Sequence, residues 1–327
     1  MNENIKKVVR RALFGSAMAF VGITSSYLTS KLLVETAVER EMPKPMTKMK
    51  DIIAGRKDAD DDDFMKELDK GAEWLSAQKN ETIEIKAQDG TTLRAHLITV
   101  KHPKRLIIAM HGWRSVWYRD FGTVAEAWFA CDSSVLFVEQ RGQNDSEVNH
   151  MGFGLSERFD CQDWARYLEN RFGRRYPIYL AGVSMGAATV LMASGLEMPK
   201  NVKGIIADCG FTSPKAIWKH VIKNNLHMGG FGLAQHFADD IFKDITDMEL
   251  DEYSTVDALK TTNIPVLFIH GSSDPFVPVE MTYENYLACN SEKELLIVPG
   301  AGHGMSHYVE TEKYENTVLD FFKKHDR

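Results

Sequence analysis

Three side chains far apart along the chain could together carry out acyl transfer: Ser184, Asp274 and His303. Ser184 is the centre of Gly182-Val183-Ser184-Met185-Gly186, which follows an apolar run (Ile178, Tyr179, Leu180, Ala181) and precedes a helix-like one at 187–196. Glycines on both sides of a serine permit a sharp strand-to-helix turn that lifts the hydroxyl clear of the backbone. A serine hydroxyl is a weak nucleophile at neutral pH and needs an adjacent base. His303, in Gly300-Ala301-Gly302-His303-Gly304 after the last strand-like run, is the proposed base. Imidazole titrates near about pH 6.5, so it can take the serine proton and return it to a leaving group. A carboxylate should fix the ring tautomer and stabilise its protonated form. Two acids compete for that role: Asp274 in Gly271-Ser272-Ser273-Asp274-Pro275 and Asp208 in Ile206-Ala207-Asp208-Cys209-Gly210. His307, four residues beyond His303, is expected to start the last helix instead.

Charge developing on an attacked carbonyl oxygen calls for two backbone donors. Met185 should supply one, and the loop His111-Gly112-Trp113-Arg114 the other, with the Trp113 N–H as the natural candidate. Its indole would then stand near the site or wall the pocket. His111 reads as a buried structural residue rather than a second base. No glycine-rich stretch has the strand–GxGxxG–helix setting of a dinucleotide site, and no metal-ligand spacing occurs, so neither cofactor nor metal is expected. The cysteines at 131, 161, 209 and 289 lack CxxC spacing and read as buried thiols.

These residues need a scaffold that brings them together, and the hydrophobic pattern supplies one. Strand-like runs at 82–86 and 93–100 flank Asp89-Gly90 as a hairpin. Further buried-strand runs lie at 106–110, 134–138, 178–181, 202–207, 266–269 and 294–298, with helical stretches near 122–131, 157–172, 186–196, 279–289 and 311–324. Strands alternating with helices predict an α/β fold with a mainly parallel sheet covered on both faces. The chain of 327 residues is 44% hydrophobic and 26% charged, which suits one large core. The reading is a hydrophobic segment at 1–31, a helical linker at 32–80 and one catalytic domain at 81–327, with a small helical cap at 211–261. Within the linker, Phe64, Leu68, Ala72 and Leu75 predict a short docked helix, and the acidic run at 58–63 reads as its start or as solvated chain. A net charge of −7, with no groove-reading motif, gives no sign of a nucleic-acid partner.

Lys6, Lys7, Arg10 and Arg11 precede an uncharged run at 12–30 closed by Lys31. As a helix that run would reach roughly 28 Å, close to the thickness of a hydrocarbon core. Three readings follow: an uncleaved membrane anchor that leaves the catalytic domain extracytoplasmic, a cleaved signal peptide, and a helix docked on a cytoplasmic enzyme.

In these motifs and their order, residues 81–325 resemble the α/β-hydrolase superfamily. More narrowly, the chain resembles bacterial single-domain serine esterase/peptidase-like hydrolases with an N-terminal membrane segment. Glu139-Gln140-Arg141-Gly142-Gln143-Asn144-Asp145-Ser146 is similar to their D-x-R-G-x-G-x-S loop, with Glu139 in place of Asp and Asn144 in place of the second Gly; 153–160 is similar to a neighbouring segment. The resemblance implies a Ser184–His303–Asp274 triad, because the family's acid follows the penultimate strand. It implies hydrolysis of a small-molecule acyl ester through an acyl-enzyme, most simply by a carboxylesterase. Peptidase, thioesterase and acyltransferase chemistry use the same triad, and a non-catalytic membrane-tethered binding protein is the alternative of another class. Phe211, Trp218, Met228, Phe231 and Phe237 would either favour a partly apolar acyl group or form the cap's own core.

Overall fold

The computed structural model describes residues 23–49, 61–228 and 232–326. Eight strands form one sheet: β1 Glu81–Lys86, β2 Thr92–Ile98, β3 Arg105–Met110, β4 Ser133–Glu139, β5 Ile178–Val183, β6 Val202–Asp208, β7 Val266–Gly271 and β8 Lys293–Val298. Their order across the sheet is β1-β2-β4-β3-β5-β6-β7-β8. β2 runs antiparallel to β1 and β4, and every other neighbouring pair is parallel. β3, β4 and β7 are buried at every position, as their unbroken apolar runs require of strands covered on both faces. This is the α/β-hydrolase fold.

The longer helices are α1 (23–38), α2 Asp61–Ser76, α3 Glu157–Phe172, α4 Met185–Ala193, α5 Gly232–Thr246, α6 Val279–Ala288 and α7 Thr311–His325. On one face of the sheet, Trp164 and Leu168 of α3 and Val190 and Leu191 of α4 pack against Leu106, Ile108, Leu180 and Ile205. On the other, Leu75 of α2, Trp128, and Tyr314, Val318, Phe321 and Phe322 of α7 cover Ile107, Phe137, Tyr179 and Ile269. The helical stretch expected near 122–131 is broken into Trp117–Asp120 and Ala125–Ala130, and the break falls where Gly122 meets Gly71 of α2. A Cβ on Gly122 would lie 2.3 Å from the Gly71 carbonyl carbon, so this close approach of α2 needs glycine. α2 begins at Asp61, and Asp63 in its first turn pairs with Lys66 at 2.7 Å; the acidic residues before α2 lie outside the described residues.

Residues 211–261 form the helices Pro214–His220, α5 and Thr255–Leu259, with a π-helical turn Val221–Asn225. Phe211, Trp218 and Phe242 are buried among themselves and against Val34 and Val38 of α1, with Trp218 edge-on to Phe153 and Phe242 at 5.4 and 5.5 Å. Phe237 meets Tyr27 of α1 at 5.7 Å. The aromatic residues of this stretch are therefore mainly its own core; Phe231 lies outside the described residues.

The uncharged run at 12–30 is divided. Residues 12–22 fall outside the described residues, and 23–30 are the first turns of α1, which continues through Lys31 and Glu35. No helix among the described residues is long and apolar enough to cross a membrane.

Candidate active site

The β5–α4 turn positions Ser184 in a conformation that few L-residues adopt, φ 56° and ψ −116°. The turn closes because a Cβ on Gly182 would lie 2.2 Å from the Gly186 carbonyl oxygen, and one on Gly186 would lie 1.8 Å from that of Met110. The Ser184 N–H donates to the Asp208 carbonyl at 2.8 Å, which ties the turn to the end of β6. The strain of such a backbone persists only where its surroundings over-determine it.

His303 reaches this serine from the loop after β8. Its Nε2 lies 2.9 Å from Ser184 Oγ and its Nδ1 lies 2.7 Å from Asp274 Oδ2. The Asp274 side chain is fully buried while the His303 ring is 22% exposed, so the ring is the part that faces an incoming molecule. Asp274 Oδ1 accepts the N–H groups of Phe276 and Val277 at 2.8 and 2.9 Å. Burial raises the Asp274 pKa, but the charge of His303 and the hydrogen bonds from His270 and His303 outweigh it and hold the carboxyl well below its usual range. Burial likewise pushes His303 down, and the Asp274 carboxylate beside it more than reverses this, leaving the imidazole well above 6.5.

The competing acid stands close by with other partners. Asp208 accepts from Ser306 Oγ at 3.3 Å, and burial raises its pKa. His307 lies in the separate helix Ser306–Val309, before α7, and its Nε2 pairs with Glu315 at 3.0 Å. His111 is buried; its Nδ1–H donates to the Gly112 carbonyl and its Nε2 accepts the Gln140 N–H. Those bonds fix a neutral tautomer that joins two loops.

The loop after β3 brings Gly112, Trp113 and Arg114 to the rim of the same cavity as Ser184. Gly112 donates its N–H to Asp120 at 2.6 Å. Among the described residues, the N–H groups of Trp113 and Met185 donate to no other part of the protein. The Trp113 indole turns away toward α1, where Nε1–H donates to the Ala37 carbonyl at 2.8 Å.

Two further residues stand around the triad: His270, which the sequence did not single out, and Cys209, read from it as a buried thiol and found buried. His270, at the end of β7, is fully buried, with Nε2 3.1 Å from Asp274 Oδ2 and 2.9 Å from the Val277 carbonyl, and Nδ1 2.6 Å from Thr282 Oγ1. Its place four residues before Asp274 was the available signal, hidden because it reads as the last residue of an apolar strand. Cys209 offers its sulfur within 4.8 Å of ligand atoms of Asp274 and His303. Burial pushes that thiol up to about 11, so it is neutral at physiological pH, and the carboxylate and imidazole are already engaged with each other.

Beside Ser184 opens a cavity of about 720 Å³. Its apolar wall includes Phe64, Met65 and Leu68 of α2, together with Phe121, Trp128 and Ile206, and among the described residues none of 211–261 lines it. The helix expected merely to dock on the domain thus forms part of the wall.

The loop variations lie outside this cavity. Glu139 pairs with His96 at 2.7 Å, and Asn144 adopts φ 50°, a left-handed conformation that asparagine tolerates where the pattern has glycine. Arg141 forms a two-pronged bond to Asp160, joining this loop to α3.

The fold has counterparts among known proteins. An esterase of Pyrococcus furiosus superposes with a TM-score of 0.62 over 78% of this chain and 94% of its own, at 20% identity. A puromycin-hydrolyzing peptidase of Mycobacterium tuberculosis superposes with a TM-score of 0.58 over 77% of this chain and 41% of its own, at 16% identity. The uncharacterized protein YqkD of Bacillus subtilis is 27% identical over 188 residues, 58% of this chain; the chain spans 61% of that relative's length. Residues 140–326, which carry Ser184, Asp274 and His303, match the prolyl oligopeptidase family. With more than half its length matched, this chain belongs to the prolyl oligopeptidase family, on the α/β-hydrolase fold.

Proposed function

We propose that this chain is a serine hydrolase that cleaves carboxylic esters of small molecules through an acyl-enzyme. The single observation that carries this reading is the hydrogen-bonded series Ser184 Oγ, His303 and Asp274 opening on a cavity with an apolar wall. In this reading His303 Nε2 takes the Ser184 proton as Oγ adds to the ester carbonyl, and Asp274 stabilises the imidazolium. The N–H groups of Trp113 and Met185 donate to the oxygen that becomes negative. His303 then protonates the departing alcohol, activates water, and the same steps in reverse order release the acid.

Phe64, Met65, Leu68, Phe121 and Trp128 favour an apolar acyl group over a polar peptide. Family membership favours a second reading, cleavage of an amide or peptide bond on the same three residues. A fluorophosphonate probe should label the wild type at Ser184. A panel of p-nitrophenyl esters of increasing chain length, set against aminoacyl amides, separates the two readings. Faster turnover of the amides would move the assignment to a peptidase, and absence of both labelling and turnover would remove it.

A further inference from the structure

α1 ends against the loop proposed to hold the oxyanion. The last four carbonyls of a helix lack partners within it and must find them elsewhere. At the end of α1, the Glu35 carbonyl accepts the Glu39 N–H at 3.0 Å and the Val38 carbonyl accepts the Met151 N–H at 2.7 Å. The other two are taken by consecutive residues of the loop. Ala37 accepts the Trp113 indole N–H at 2.8 Å, and Thr36 accepts Arg114 Nη2 at 2.7 Å and Nε at 3.2 Å. Arg114 also donates Nη1 to the Arg40 carbonyl at 2.7 Å and Nη2 to that of Glu39. One guanidinium therefore grips three carbonyls, and the negative end of the helix dipole lies against its charge. The backbone of Arg114 has φ 52°, a left-handed conformation that a non-glycine residue holds only under constraint.

We infer that α1 is a working part of the oxyanion hole, and that Arg114 is the positioning residue through which the end of α1 fixes the neighbouring Trp113 amide. This rests on the serine-hydrolase reading, in which that amide is a donor. The triad needs none of these bonds: Ser184, His303 and Asp274 are held by β5, the loop after β8 and the loop after β7. Loss of the grip should therefore lower turnover while leaving the triad's titration in place. Arg114 and α1 would also make catalysis sensitive to anything that lifts α1 from the domain.

The full-length chain carrying Arg114→Gly is the informative variant, because glycine accepts the left-handed backbone, so the side chain and its bonds to α1 are removed without added backbone strain. Its kcat on the best ester should fall on the order of 10²-fold, the scale of a misplaced or missing oxyanion donor, with KM little changed. The acid limb of its kcat/KM profile should keep the wild-type midpoint. Arg114→Lys, which keeps the charge but not the planar fork, should show a smaller fall and serves if the glycine variant does not fold. Wild-type kcat in a folded variant with a lowered melting temperature would reduce α1 to a structural support and overturn the inference, as would a rise in KM at constant kcat. A wild type that neither turns over esters nor labels with fluorophosphonate would instead remove the underlying reading, and the inference with it.

Discussion

At the scale of residues, the site places two carboxylates near one imidazole and gives them different surroundings. Asp274 accepts two backbone N–H groups and faces both His303 and His270, whereas Asp208 accepts from Ser306. Asp274→Asn should therefore lower kcat by about 10⁴, the scale of a wrong imidazole tautomer in another serine hydrolase. Asp208→Asn should cost far less, and a steady-state comparison of the two decides the assignment. Ser184→Ala and His303→Ala should each cost on the order of 10⁶ in kcat, and the double variant should be little worse, because residues that act as a unit are not additive. The pH profile follows from His303. Only the neutral ring accepts a proton, and Asp274 holds its pKa well above 6.5 against the effect of burial. Activity is thus lost as pH falls through that raised value and recovered above it, so the acid limb of kcat/KM should have its midpoint above 6.5. Removing the Asp274 charge should move the midpoint down, measurable on the residual activity of Asp274→Asn.

At the scale of elements, the parts next to the site differ from those the sequence suggested. The stretch 211–261 fills its interior with Phe211, Trp218 and Phe242 and leans on α1, while α2 lines the cavity through Phe64, Met65 and Leu68. On the esterase reading proposed above, α2 would set chain-length preference. Leu68→Trp should shift the best p-nitrophenyl ester to a shorter acyl chain. Each methylene excluded from the cavity forfeits about 0.8 kcal/mol, roughly fourfold in kcat/KM. An unchanged profile across the ester panel would place the acyl group elsewhere. The close approach at Gly71 and Gly122 explains how this wall is held: two backbones meet where any side chain would separate them.

At the scale of the whole molecule, a buried parallel sheet carries the serine, the acid and the histidine on the ends of β5, β7 and β8, so their separation in sequence has no bearing on their distance in space. The N-terminal region joins this unit through α1, whose Val34 and Val38 are fully buried and whose last carbonyls meet the loop after β3. None of the described bonds of the site involves residues before 36. A chain beginning at residue 23 should therefore keep the wild-type kcat, measured on the same ester. Sedimentation of the two chains with membranes, compared after a carbonate wash, assigns any membrane contact to the residues removed.

Strands of uninterrupted apolar residues, the glycines around Ser184, the histidine loop and the order of the three residues were all legible in the sequence, because each is a local pattern with a local physical cause. Asp274 and Asp208 could not be separated by pattern alone, since both follow an apolar strand; the distance to His303 Nδ1 distinguishes them. His270 was concealed because a strand's last residue and a ligand of a buried carboxylate look alike until the neighbouring strand ends are in place. Nothing local in Phe64 and Leu68 distinguishes a helix docked on a surface from one that walls a cavity, and nothing local in Arg114 announces that its partners lie at 36, 39 and 40. Those relations join segments distant in sequence, and the close packing of the folded chain decides them.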